Sequence, residues 1–243
     1  EGLGVQSSGR ARLERPAARN AAENGAVPAP KTPKGRGWLG FGTGLTFFLA
    51  AMAMEQVGNE AQGAAMPSLI AKVFGDVTIS ADLGIWSALA DFAGSLMAPL
   101  VIKSLGLKAA YLWTAGARLV TGALIAGLLA AGYMTVPLLM AASVFGGFVL
   151  GINYTVEKSI PAVILRQDRS KLERFKAARQ SVIEIVATII PIVTGAAVAS
   201  LGFLPALVAF PVAAGLAMAI VAFTLRIPQK AELLLKAAVP SVA

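Results

Sequence analysis

The residues able to do chemistry in this chain are the charges that interrupt otherwise apolar sequence. Glu55, Asn59 and Glu60 stand in one apolar stretch, Asp91 and Arg118 in the next two, and Glu157, Lys158 and Glu184 further on. An ionisable side chain inside a bilayer is expensive to hold there, so each is a candidate for carrying a proton, an ion or a polar solute. Glu55 and Asn59 are four apart and share a helix face, whereas Glu60 is offset from Asn59 by about 100°. A carboxylate there can take up a proton or attract a cationic group. Asp91 and Arg118 fall at similar depths in their helices and are expected to pair. Glu157, Lys158 and Glu184 suit a gate network near one membrane surface. Each group also has a plainer reading. The first helix can end early and leave Glu55 to Glu60 in water, a buried pair can serve packing alone, and the last three can be interfacial anchors.

The chain has neither His nor Cys. That excludes a Ser-His-Asp hydrolase, thiolate chemistry, disulfides and His-ligated metals. No phosphate-cradling loop is present. The sequence therefore points away from an enzyme and implies no cofactor and no metal.

The elements that must position these groups follow from hydropathy. Of the 243 residues 56% are hydrophobic and only 14% are charged. Leu119–Val156 and Ile185–Leu225 contain no charge at all. A spanning helix needs about 20 apolar residues, so each stretch is long enough for two passes. Gly132 followed by Pro137, and Gly202 followed by Pro205, mark a stop and restart in the middle of each. The expected class is an all-α integral membrane protein with six transmembrane helices, over about 40–69, 80–103, 108–131, 135–162, 178–201 and 204–225. Residues 1–37 are basic and poor in large apolar side chains, which reads as a disordered cytoplasmic tail or linker. Residues 38–226 form the membrane domain. Residues 227–243 form a C-terminal cytoplasmic segment whose 228–237 portion reads as a short interfacial helix.

Charge sets the expected orientation. Eighteen of the 21 Lys and Arg fall before the first helix, between helices 2 and 3, between helices 4 and 5, or after the last helix. The opposite side holds Lys72, and Arg118 and Lys158 lie inside helices. This split places both termini in the cytoplasm. The net charge of +8 then reports topology, so no nucleic-acid partner is implied.

Several features resemble one six-helix half of a major facilitator superfamily transporter. The first helix is long, polar at mid-depth, and has Pro67 towards its outer end. The second runs from Gly94 through Pro99 and Lys103 to Gly106 and Lys108, similar to the family's cytoplasmic loop motif. The fourth carries Gly146, Gly147 and Gly151, and a basic loop precedes the fifth. The sequence departs from the family pattern at Lys103, where an acidic residue is usual. The resemblance implies a half bundle whose helices 1 and 4 line a central cavity, with cytoplasmic ends. It also implies a second six-helix half, in the same polypeptide or from a homodimer; the basic leader resembles the connector between two halves.

The expected function is secondary active transport of a small solute, with a possible coupling ion, by alternating access in a plasma or bacterial inner membrane. Glu55, Asn59, Glu60, Asp91 and Arg118 are the candidates for the solute or ion site. Lys103, Glu157, Lys158 and Glu184 are the candidates for the gate network. The alternative is a non-transporting membrane scaffold or assembly subunit, in which the same charges contact a partner.

Overall fold

A computed structural model describes residues 40–166 and 168–227. The described residues are all-helical, with six helices: α1 (Thr43–Phe74), α2 (Thr78–Leu105), α3 (Leu107–Ala130), α4 (Val136–Ile164), α5 (Arg169–Leu201) and α6 (Leu204–Thr224). The expected interfacial helix at 228–237 and the tail at 1–37 lie outside the described residues.

The two Gly–Pro breaks end helices as expected. Gly132 and Gly202 take φ of 72° and 82°, a backbone region open mainly to glycine. Pro137 and Pro205 then sit in the first turn of α4 and α6, where the missing N–H would have no partner anyway. The bounds of α2, α3, α4 and α6 fall within two residues of the sequence reading, and the larger differences are in α1 and at the start of α5. α1 continues through Pro67 to Phe74. α5 starts nine residues early, because Asp168 caps it by accepting from the Lys171 amide at 3.0 Å. The charged first turns then form one helix face, with Lys171–Asp168 and Lys176–Glu173 pairs at 2.8 and 3.0 Å. Phe175, fully buried, anchors the other face.

Pairings between helices establish their directions. Ser87 and Asp91 of α2 meet Gly147 and Gly151 of α4, so these two run parallel. Gly44 and Gly58 of α1 meet Thr224 and Ala213 of α6, so those run antiparallel. One apolar cluster joins Leu45, Ile102, Leu107, Ile160, Phe175 and Leu225. A second joins Ile70, Leu83, Ile125 and Leu139, and a third joins Leu69, Ala126 and Leu207. The first cluster closes the end where α1 begins and α6 finishes, called here the proximal end. The other two close the distal end. Lys103, Lys108, Arg166, Arg169, Lys171, Arg174, Lys176 and Arg226 gather at the proximal end and Lys72 stands at the distal one.

The packing partners have an internal symmetry. α2 packs on α4, α1 on α6 and α5, and α3 on α6 and α4. Exchanging α1–α3 with α4–α6 turns α2–α4 into α5–α1, turns α1–α6 into α4–α3, and leaves α3–α6 unchanged. Each triplet has an odd number of alternating helices, so the second runs in the opposite sense to the first, the pattern of an inverted repeat.

Five helices, α2 to α6, are long and apolar enough to cross a membrane. This is consistent with a multi-pass integral membrane protein. Their outward faces are apolar too: Phe92 and Leu96 of α2 and Ile185 and Ile192 of α5 are more than half exposed. Such a surface suits hydrocarbon far better than water. α1 is the exception because Glu55, Gln56, Asn59, Glu60 and Gln62 fill its middle. Its position explains this composition. Residues from Leu45 to Ile70 at helical spacing are buried along its length, Glu55 among them, so one face of the polar segment packs on neighbouring helices while Gln56, Asn59, Glu60 and Gln62 are partly exposed.

Candidate functional site

The polar groups converge where α1, α3, α4 and α5 meet. Glu55 of α1 is 2% exposed and Arg118 of α3 is 3% exposed. The Arg118 Nη1 donates to Glu55 Oε2 in an ion pair, and its Nη2 donates to Asn59 Oδ1. The guanidinium also lies over the ring of Phe210, 5.2 Å from its centroid, a favourable placement for a cation. Tyr111 Oη donates to the other Glu55 oxygen at 2.5 Å.

A single amide links this pair to a second one. Asn153 of α4 donates through Nδ2 to Glu55 Oε2 at 2.9 Å and to Glu157 Oε1 at 2.7 Å. The Thr114 hydroxyl lies 2.6 Å from Asn153 Oδ1, which holds the amide in this orientation. Glu157 Oε2 in turn accepts from Arg179 Nη2 of α5 at 3.4 Å. Two carboxylates and two guanidiniums are thus joined in one chain with balanced formal charge. Burial of either carboxylate alone would be prohibitive; the partners and donors make it tolerable.

Close helix contact brings the polar groups together. A Cβ on Gly147 would overlap the carbonyl of Ser87, and one on Gly151 would overlap that of Asp91. The small residues let α4 lie against α2. This leaves the Asn153–Glu157 face, at i and i+4, turned towards α1 and α3.

Beside the network is a cavity of about 390 Å³. Its wall comes from α1, α2, α3 and α4 and includes Asn59, Gln62, Ser87, Arg118, Thr121, Ser143 and Tyr154. It extends from Arg118 at mid-depth towards Ile70, Leu83 and Ile125 at the distal end. Among the described residues no three carboxylates converge in a metal-binding group.

The sequence candidates divide clearly. Glu55, Asn59, Arg118 and Glu157 are brought together. The expected Asp91–Arg118 pair does not form, because Arg118 faces α1 and takes Glu55 instead. Asp91 is partly buried between α2 and α4, near the charge of Lys158. Glu60 points off the site and accepts from Gln56 Nε2 at 2.6 Å. Lys158 and Glu184 are exposed, and Glu184 accepts from Gln180 one turn earlier at 3.0 Å. They do not complete a network with Glu157; Arg179 does. Lys103 is partly buried in the last turn of α2 and joins no ion pair among the described residues.

Tyr111, Thr114, Asn153 and Arg179 were not among the sequence candidates. Tyr111, Thr114 and Arg118 fall at i, i+3 and i+7, a polar stripe on one helix face that the spacing alone displays. Arg179 was masked by its position in a basic segment that reads as a loop.

No protein-family model, curated protein or solved structure matches the chain. The class defined by fold and surface is a multi-helix membrane protein with a buried charge network beside a polar cavity.

Proposed function

We propose that the chain is a six-span, half-transporter bundle that moves a small solute by alternating access. In this reading α1 crosses the membrane with the other five helices, and the basic proximal end faces the cytoplasm. The observation that carries the reading is the Glu55–Arg118–Asn153–Glu157–Arg179 network beside a polar cavity that extends from Arg118 towards the distal end. A scaffold needs no cavity against its internal charges. The inverted exchange of α1–α3 and α4–α6 supports the same reading, since repeats of this kind let one site be approached from either side. So does the resemblance to the major facilitator superfamily, which calls for a second six-helix half to close the open side of α2 and α5.

The test is uptake by the full-length protein in proteoliposomes, screened against anionic, neutral and cationic solutes. Accumulation of a solute that is lost in both Glu55→Gln and Arg118→Gln supports the assignment. Undiminished uptake in both variants removes these residues from the site. Absence of uptake for every solute class favours an assembly subunit whose charges serve packing.

A further inference from the structure

We propose that the transported solute is a small organic carboxylate, which takes the place of Glu55 on Arg118 while Glu55 takes up one proton. This rests on the transport reading above and adds its substrate class.

The cavity wall supplies the argument. Arg118 is the one charged residue among the described residues that line it. The other polar lining groups are neutral hydroxyls and amides, including Asn59, Gln62, Ser87 and Thr121. Glu55 and Glu157 are buried behind the wall. A cationic solute entering this space meets no opposite charge. A carboxylate meets a planar guanidinium whose fork matches its two oxygens.

That guanidinium already has a counter-charge. Its two terminal nitrogens are committed to Glu55 and Asn59. A second carboxylate arriving with Glu55 still ionised would leave two negative charges on one guanidinium away from water, an arrangement that favours protonation of one of them. Glu55 is the carboxylate that the solute displaces from Arg118, while Glu157 keeps its own partner in Arg179. Tyr111 and Asn153 hold its two oxygens from the protein side, so it keeps its place when Arg118 turns to the solute.

The exchange balances. In the empty site Glu55 is an anion and Arg118 a cation. In the loaded site Glu55 is a neutral acid, one O–H bond having formed with a proton from the water-filled side. The solute anion now pairs with Arg118. Net charge is zero in both states, so one proton accompanies each carboxylate and the loaded bundle carries no extra charge across the membrane.

The experiment uses the full-length protein in nanodiscs, titrated with acetate, lactate, succinate and benzoate and with their amides. At least one carboxylate should bind about tenfold or more tightly than its amide. Binding should withdraw one proton per molecule from weakly buffered solution. Glu55→Gln should bind the carboxylate with no proton uptake, and Arg118→Gln should weaken binding about tenfold or more. The Glu55→Gln/Arg118→Gln double variant leaves no lone buried charge, so it should fold and still fail to bind. Equal binding of the amide, binding without proton uptake by the unaltered protein, or no binding of any of these carboxylates overturns the proposal. Uptake of a neutral or cationic solute in proteoliposomes would then leave the transport reading standing. No uptake of any solute overturns both.

Discussion

Removing Arg118 should be among the most damaging single changes in the bundle, and the damage should vanish when Glu55 is neutralised with it. Arg118→Met deletes the ion pair to Glu55, the hydrogen bond to Asn59 and the stack on Phe210. It leaves Glu55, 2% exposed, as a buried anion held only by Tyr111 and Asn153. Breaking a buried pair from one side typically costs about 3–5 kcal/mol. Glu55→Gln alone removes the charge but keeps an oxygen for Tyr111 to donate to. The double variant has no lone charge, and neutral replacements of buried pairs often cost little. The double-mutant cycle should therefore show a coupling of about 2–4 kcal/mol between positions 55 and 118. The assay is reversible unfolding in mixed micelles, followed by circular dichroism. A parallel cycle between Asp91→Asn and Arg118→Met should come out close to additive, because Arg118 turns away from α2. Additivity at 55–118, or a larger coupling at 91–118, would refute the assigned partner and with it the geometry of the network.

Other outcomes follow from the same contacts. Gly151→Ala should destabilise by about 1–3 kcal/mol, since its Cβ meets the Asp91 carbonyl, whereas Gly146→Ala, with nothing within 4 Å of the added atom, should be neutral or slightly stabilising by the same unfolding assay. Asn153→Leu keeps the volume but strips one donor from each of Glu55 and Glu157, and should lower stability by about 2–4 kcal/mol, an effect reduced but not removed in a Glu157→Gln background, where Glu55 still loses its donor. The carboxyl of Asp168 is held below its usual range by the Lys171 side-chain and backbone hydrogen bonds. Its folded-state value being depressed, its cap is fully effective above the ordinary carboxylate range and fails as pH falls through the lowered value. Hydrogen exchange at the first turn of α5 should accelerate in acid and become pH-independent in Asp168→Asn, beyond the intrinsic exchange rate.

Legibility in the sequence varied with the range of the interaction. The breaks at Gly132–Pro137 and Gly202–Pro205 are local signals, and the chain obeys them. The start of α5 is not legible, because charge density reads as loop, while the Asp168 cap and the buried Phe175 turn the same residues into helix. The identity of the buried charges was legible, since Glu55 and Arg118 stand out against apolar neighbours. Their partners were not. Asp91 and Arg118 have matching depths, and depth cannot say which way a side chain points around its helix. Asn153 and Tyr111 are uncharged and raise no alarm in a membrane-like sequence, yet they hold both oxygens of Glu55.

The sequence by itself determined that this chain is a bundle of long apolar helices with its basic residues gathered at one end. Both follow from composition and order alone, because burying apolar surface and counting charge need no knowledge of neighbours. Only the tertiary structure decided that the face of α1 carrying Glu55 is buried against its neighbours, that Arg118 answers Glu55 and not Asp91, and that one amide ties two ion pairs into a single network. These depend on the rotation of each helix about its axis, which is set by close contacts such as Gly147 and Gly151 against α2. Residues far apart in the chain determine those contacts together, and no local stretch carries that information.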